Sequence, residues 1–279
     1  MKKVSKIVVH PLTRGIGAEI FGVDLSQDLP EPVIAKIRQV LLDYCVIFFR
    51  NQDMTPEEQI TFVSKFGEPD IYPFVRGLDN YPQITPVLKL PDETVNFGGI
   101  WHSDTVYMNE PPMGTILYAK ELPPMGGDTL FANQYQAYKA LSTPLRGFLD
   151  GLRAVNSAAK GTAAATRSDR VADAGTGENR VLEAIHPVVR THPETGQKAL
   201  YVNIGHTVRF EGMTVEESSP ILEYLFRHQI KPEYCCRFVW SPGSVAFWDN
   251  RCAQHYPVND YHGHKRLLHR ITLKGEKPY

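Results

Sequence analysis

The sequence has few cysteines, no excess of either charge and no long apolar run, and each shortage removes a class of protein. Its four cysteines, Cys45, Cys235, Cys236 and Cys252, have neither paired C-x-x-C spacing nor the density of a disulfide scaffold, so they are read as buried or spectator thiols rather than as zinc or redox chemistry. With 30 Lys+Arg against 31 Asp+Glu the formal net charge is -1, and no block of like charges stands out. No field of that kind draws in a nucleic-acid backbone or an anionic membrane. No stretch approaches the roughly 18 to 20 apolar residues of a membrane span. The start, Met1-Lys2-Lys3-Val4-Ser5-Lys6, runs into a polar-punctuated segment rather than the apolar centre of a signal peptide. A cytoplasmic protein with a small-molecule partner, no nucleic acid and no membrane is expected. Internal repeats are also missing, which makes one domain over residues 1–279 the simplest division.

What is present is 42% hydrophobic residues, enough for a sizeable core. Residues 31 to 45 place Val33, Ile34, Ile37, Val40, Leu41 and Tyr44 on one helical face, with Pro32 in the first turn where its missing N–H does no harm. Thr55-Pro56-Glu57-Glu58 opens a second helix running to Gly67, and Thr214-Val215-Glu216-Glu217 opens a third through Leu222, Leu225 and Phe226. The other structured segments read as short β-branched or aromatic strands: 46–49, 114–119, 128–131, 199–202, 244–248 and 270–273. Strands that do not alternate with helices predict a mainly β antiparallel sandwich or barrel with flanking helices. Residues 157–180 mix small and charged residues with no apolar period and predict a lid, whereas the turn-rich stretch 76–99 leads into the most chemically loaded part of the chain and predicts a site wall.

That part begins with Trp101-His102-Ser103-Asp104. An H-x-D tripeptide alone is weak evidence, but on a strand positions i and i+2 share a face, so His102 and Asp104 could hold one cation. A neutral imidazole and a carboxylate suit Fe(II), Mn or Zn, and one further His completes a facial set with open positions for substrate and O2. Near the C-terminal end His255 precedes Arg266 by a gap that fits a turn and return, and Arg266 and Arg270, four apart, share a face of one strand. Arginine suits an anion clamp there, because its planar fork matches a carboxylate and its charge cannot be titrated away.

On dispersed motifs in a fixed order the chain resembles the taurine dioxygenase-like (TauD/TfdA) family of Fe(II)/2-oxoglutarate-dependent dioxygenases. The motifs are Gly17-Ala18-Glu19-Ile20 with Gly22-Val23-Asp24-Leu25, Trp101-His102-Ser103-Asp104, Ala119-Lys120-Glu121-Leu122-Pro123, Gly126-Gly127-Asp128-Thr129-Leu130, His186 to Gly196, Trp248-Asp249-Asn250-Arg251, His255 and His269-Arg270. The resemblance implies a double-stranded β-helix, or jelly roll, with iron held by His102, Asp104 and His255. It implies 2-oxoglutarate as co-substrate, its distal carboxylate on Arg266 and Thr129, with O2 as oxidant and succinate and CO2 as co-products. Arg270 is expected near the primary substrate's anion, within reach of the co-substrate as well, and a homo-oligomer, dimer or tetramer, is expected. Taurine-specific members carry an Asn/Asp-rich approach to the H-x-D motif and a His on the facing wall, whereas this chain has Asn96-Phe97-Gly98-Gly99-Ile100 and Asp70-Ile71-Tyr72-Pro73. Tyr72, Phe97 and Gly98 are therefore expected to form a roomier, more apolar substrate wall, suited to an alkyl or aryl sulfonate, a sulfate ester, an aryloxyalkanoate or another carboxylate. The rival readings are a hydrolase using the same residues for a metal-bound hydroxide and a non-catalytic jelly-roll binding protein.

Overall fold

In the computed structural model, which describes residues 7–160 and 182–279, the chain runs β1 (Val8–Pro11), β2 (Ala18–Phe21), α1 (Glu31–Tyr44), β3 (Val46–Phe49), α2 (Pro56–Ser64), β4 (Pro69–Asp70), β5 (Thr85–Lys89), β6 (Gly114–Glu121), β7 (Thr129–Asn133), α3 (Gln134–Lys139), α4 (Thr143–Leu149), β8 (Arg153–Ser157), β9 (Glu183–Pro187), β10 (Val189–Thr191), β11 (Lys198–Leu200), β12 (Thr207–Phe210), α5 (Val215–His228), β13 (Cys235–Phe238), β14 (Val245–Asp249), β15 (Ala253–Pro257) and β16 (Arg266–Leu273). The lid expected over 157–180 lies largely outside the described residues. None of the described helices is long and apolar enough to cross a membrane.

The main sheet takes the order β1-β2-β3-β14-β6-β16-β4, with β5 also paired to β16. Its central strands are apolar on both faces, and their period-two alternation sorts two cores. Ile47, Phe49, Ile116, Tyr118, Val245, Phe247, Ile271 and Leu273 meet the apolar faces of α1 and α2, including Ile37, Leu41 and Phe62, and Phe66 just beyond α2. The intervening residues Val46, Phe48, Leu117, Ala119, Ala246, Trp248 and Leu268 face a second sheet, β13-β7-β15, and pack on its Phe131, Cys236, Phe238 and Ala253. Two facing sheets with helices outside are the jelly roll that the resemblance implied. The third core joins α3, α4 and α5 to β8, β10, β11 and β12 around Leu149, Val188, Phe210 and Leu225.

The expected helix starts hold for a local reason: Thr55 and Thr214 each accept from the N–H three residues on, while Glu58 and Glu217 reach back to the threonine N–H, completing two capping boxes. Two corrections concern extent: the second helix stops at Ser64 rather than Gly67, and the strand expected over 199–202 covers 198–200. Strand β5 was not anticipated inside the 76–99 stretch, whose Pro86 breaks the strand signal. Its pairing with β16 brings that stretch to the site.

Candidate active site

A cavity opens between the two sheets, and its lining contains His102, Asp104, His255, Thr129, Arg266, Arg270, Tyr72, Phe97 and Gly98 together. Residues dispersed over some 200 positions of sequence thus converge on one space. His102 and His255 form an isolated antiparallel bridge, each N–H donating to the other's carbonyl at 3.1 and 2.9 Å, which sets the two rings side by side with centroids 4.2 Å apart. Asp104 does not reach the same place through strand alternation, as expected from its i+2 spacing. The chain turns immediately after the bridge, and Thr105 adopts φ 43, a left-handed conformation costly for a β-branched residue. The turn, not the pleat, delivers the carboxylate. The donor atoms of His102, Asp104 and His255 then lie within 4.8 Å of one another, with His102 Nε2 3.7 Å from Asp104 Oδ1.

Two of the three donors, His102 and Asp104, are oriented from behind. His102 Nδ1 lies 2.6 Å from the Ile100 carbonyl, which can only accept, so Nδ1 carries the proton and Nε2 keeps its lone pair for the cavity. A relay holds Asp104: Trp248 Nε1–H donates to Asn250 Oδ1 (2.9 Å), Asn250 Nδ2–H to Thr115 Oγ1 (2.8 Å), and the Thr115 hydroxyl to Asp104 Oδ2 (2.6 Å), which leaves Oδ1 facing His102. Burial by itself would raise the Asp104 carboxyl, but its interactions with His255, Arg270 and His102 and the Thr115 hydrogen bond outweigh it and hold it at about 2. Burial, with the His102 charge, pushes His255 down to about 3, so its imidazole is neutral. Gly98 has φ 68, and a Cβ there would stand 3.0 Å from His102 Cε1, which explains glycine at that wall position.

The two arginines on β16 point into the cavity at opposite ends. Arg270 is 6% exposed, its guanidinium lies 4.0 Å above the Tyr72 ring and 4.0 Å from Asp104 Oδ1, and its Nε and Nη2 have no hydrogen-bond partner among the described residues. Arg266 is 4% exposed, and its Nε and Nη2 are likewise without partners among the described residues. Beside it Trp240 Nε1–H donates to Thr129 Oγ1 (3.0 Å), which leaves the Thr129 hydroxyl proton for another acceptor.

The family sequence model described as "Taurine catabolism dioxygenase TauD, TfdA family" matches residues 9–272. The chain belongs to this family. It is 37% identical over 278 residues to an alpha-ketoglutarate-dependent sulfate ester dioxygenase of Pseudomonas putida, covering 97% of this chain and 90% of that protein. An alkylsulfatase of Acinetobacter baylyi is 34% identical, covering 97% and 86%. The crystal structure of a taurine dioxygenase from Burkholderia xenovorans superposes with TM-score 0.82 at 38% identity, covering 98% of this chain and 92% of that one. The protein is a TauD/TfdA dioxygenase that depends on Fe(II) and 2-oxoglutarate and uses O2.

The donor set fits such an iron: two imidazoles, one with its outward lone pair fixed by Ile100, and one ionised carboxylate, which together leave part of the coordination sphere open. Sequence reasoning missed His206 and Tyr107, which line the cavity with their rings 5.0 Å apart, and Lys89 and Tyr261 at the Arg266 end. Nothing in the His206 or Lys89 neighbourhoods marks them, because a loop turn and a strand register bring them in. Trp248 is buried and begins the relay to Asp104. His186 lies on β9, with Nε2 2.9 Å from the Met108 carbonyl, and His192 sits in the β10–β11 turn and pairs with Asp249.

Proposed function

We propose that His102, Asp104 and His255 hold the Fe(II) of this dioxygenase, that Arg266 and Thr129 take the distal carboxylate of 2-oxoglutarate, and that Arg270 takes the anionic end of an alkyl sulfate. When bound, the iron lets 2-oxoglutarate be oxidised to succinate and CO2 while one oxygen atom of O2 enters a substrate C–H bond. The protein supplies position. The observation that carries the substrate reading is the buried Arg270 guanidinium with two open donor atoms beside the metal-type cluster. Taking an ion out of water costs several kcal/mol, about as much as a bidentate anion returns, so this group is built to be completed by a ligand.

The Tyr72 ring beneath the guanidinium fixes its plane, and Phe97, Ile100 and Tyr107 give an apolar wall beyond it. That wall matches an alkyl chain better than an amine. The names of the relatives from Pseudomonas putida and Acinetobacter baylyi support a sulfate ester. If the hydroxylated carbon is the one bearing the ester oxygen, the product collapses. Its hydroxyl loses a proton, the carbonyl forms, and the C–O electron pair leaves with sulfate, giving an aldehyde.

The test compares hexyl sulfate, hexanesulfonate, hexanoate and phenoxyacetate for substrate-dependent succinate formation, with sulfate release from the first. Hexyl sulfate should give the highest kcat/KM; a ranking headed by a carboxylate contradicts the assignment. Arg270→Met should raise the KM for hexyl sulfate by about 30-fold or more and increase succinate formed without product, because a loosely held C–H bond is misplaced. If it weakens 2-oxoglutarate as severely as Arg266→Met does, both arginines form one co-substrate clamp and the substrate anion is held elsewhere.

A further inference from the structure

Lys89 is a cationic residue of the cavity that nothing above uses. It is directly opposite Arg266 in the antiparallel register of β5 and β16, so the two side chains leave the same face of the sheet. Both are 4% exposed and both line the cavity. The Lys89 Nζ has no hydrogen-bond partner among the described residues and sits 4.2 Å above the Tyr261 ring. That ring is fixed in turn, since the Tyr261 hydroxyl donates to Asn96 Oδ1 at 2.6 Å and Asn96 Nδ2 donates to the carbonyls of Pro257 and Val258. Arg266 lies 5.8 Å from the same ring on its own approach.

Two like charges directly across a strand pair repel, and in a buried position the cost rises because water does not screen them. No carboxylate among the described residues forms an ion pair with either. Asp128, which acts on Arg266, is engaged by Arg237 at 2.6 Å, and Glu93, which acts on Lys89, accepts from the Leu90 N–H. Burial lowers the Lys89 pKa, and the nearby Glu93 charge offsets that only in part. Two cations beside one ring, each with donor atoms that have no partner among the described residues, are placed to receive an anion between them.

We propose that Lys89 is a second cationic anchor of the co-substrate, sharing the distal carboxylate of 2-oxoglutarate with Arg266 and so selecting 2-oxo acids that carry a second carboxylate. This rests on the reading of the Arg266 end as the distal-carboxylate site. The arrangement divides labour by shape. The planar Arg266 fork and the Thr129 hydroxyl set the direction of the carboxylate, while the compact ammonium on Tyr261 adds a point charge on its remaining side. A neutral or methyl-ended 2-oxo acid leaves both cations unpaired and is rejected by their cost rather than by its size.

Equilibrium binding to the Mn(II)-loaded protein, without O2, separates the possibilities, using 2-oxoglutarate and 2-oxopentanoate, which differs by a methyl in place of the distal carboxylate. Lys89→Met should weaken 2-oxoglutarate by about tenfold or more, leave 2-oxopentanoate within about twofold, and leave the Tm of the ligand-free protein unchanged or higher, because it removes a buried cation. An unchanged preference for 2-oxoglutarate, or equal weakening of both ligands, overturns the proposal, and a lower Tm with the preference intact makes Lys89 a structural residue. Arg266→Met is the control for the underlying reading. If it erases the preference while Lys89→Met does not, only the Lys89 role fails. If neither variant changes the preference, the distal carboxylate does not bind at this end at all.

Discussion

His102, Asp104 and His255 at the cavity, and His192, Asp249 and Cys252 at the end of β14, each bring three ligand-type atoms within 4.8 Å of one another. Their chemical make-up is alike, and their hydrogen bonds are opposite. His102 donates its Nδ1 proton to a carbonyl and turns Nε2 toward Asp104 Oδ1 and the cavity. His192 does the reverse: the N–H groups of Glu194 and Thr195 donate to Nδ1 (both 3.2 Å), so Nε2 carries the proton and donates to Asp249 Oδ2 at 3.0 Å, leaving no lone pair for a cation. Asp249 also receives Arg251 Nε (2.9 Å) and Nη2 (2.7 Å), which hold its carboxyl far below the ordinary range despite burial, whereas Asp104 has one oxygen committed and one facing the cavity. Burial pushes the Cys252 thiol well up, so it too is a poor ligand. Proximity of ligand-type side chains does not make a metal centre; the partner on the far side of each side chain decides which atom is left to bind.

This contrast breaks most sharply at the ligands themselves. His255→Ala or Asp104→Ala should abolish both iron binding and succinate formation, measured by metal content after anaerobic reconstitution and by product assay, with little loss of folding stability. Asp249→Ala should do the opposite. Removing the carboxylate leaves buried Arg251 with Glu194 alone and the buried His192 Nε2–H without its acceptor, and should cost about 1 to 3 kcal/mol of unfolding free energy in urea. Protein kept folded in the cold should still take up one Mn(II). A variant of Asp249 that folds well but loses metal erases the distinction between the clusters.

Smaller effects sharpen it. Thr115→Val keeps the volume of the side chain but cuts the relay from Trp248 to Asp104, and should weaken Fe(II) or Mn(II) by about 10- to 100-fold while substrate discrimination is retained. Smallest is the dependence of stability on pH. Burial lowers His186 and His269 to about 4 from the ordinary 6.5. The unfolded chain therefore takes up protons below about pH 6.5 that the folded chain refuses until about pH 4. With ν_U exceeding ν_N in that window, stability is full above pH 6.5 and falls as the pH drops toward 4. Thermal melts of the metal-free protein across that range should show a declining Tm, and His269→Gln should flatten part of the decline.

The layout of the fold was legible where local chemistry dictates it. The capping threonines Thr55 and Thr214 marked two helix starts, and the short β-branched and aromatic runs marked β3, β6, β7 and β14. That His102, Asp104 and His255 come together was legible as well, but for a partly mistaken reason. The i, i+2 spacing of His102 and Asp104 suggested a strand, and the chain instead makes a bridge and a left-handed turn at Thr105. The residues that tune the site were not legible. Thr115 and Asn250 act through a relay across two strands, and Lys89 acts through register with a strand nearly 180 residues away, and neither relation leaves a periodic trace in sequence. Tyr72 and Phe97 were expected at the wall on the family pattern, and they do stack against Arg270, at 4.0 and 5.8 Å.

Of the two clusters, only His102, Asp104 and His255 should bind a metal ion. Counting bound Mn(II) by the loss of the free-ion electron paramagnetic resonance signal, in the unaltered protein, in Asp104→Ala and in the mild variant Cys252→Ser, tests it most directly. The prediction is one ion per chain in the unaltered protein and in Cys252→Ser, and none in Asp104→Ala. Two ions per chain, or a site that survives Asp104→Ala and disappears in Cys252→Ser, would contradict it.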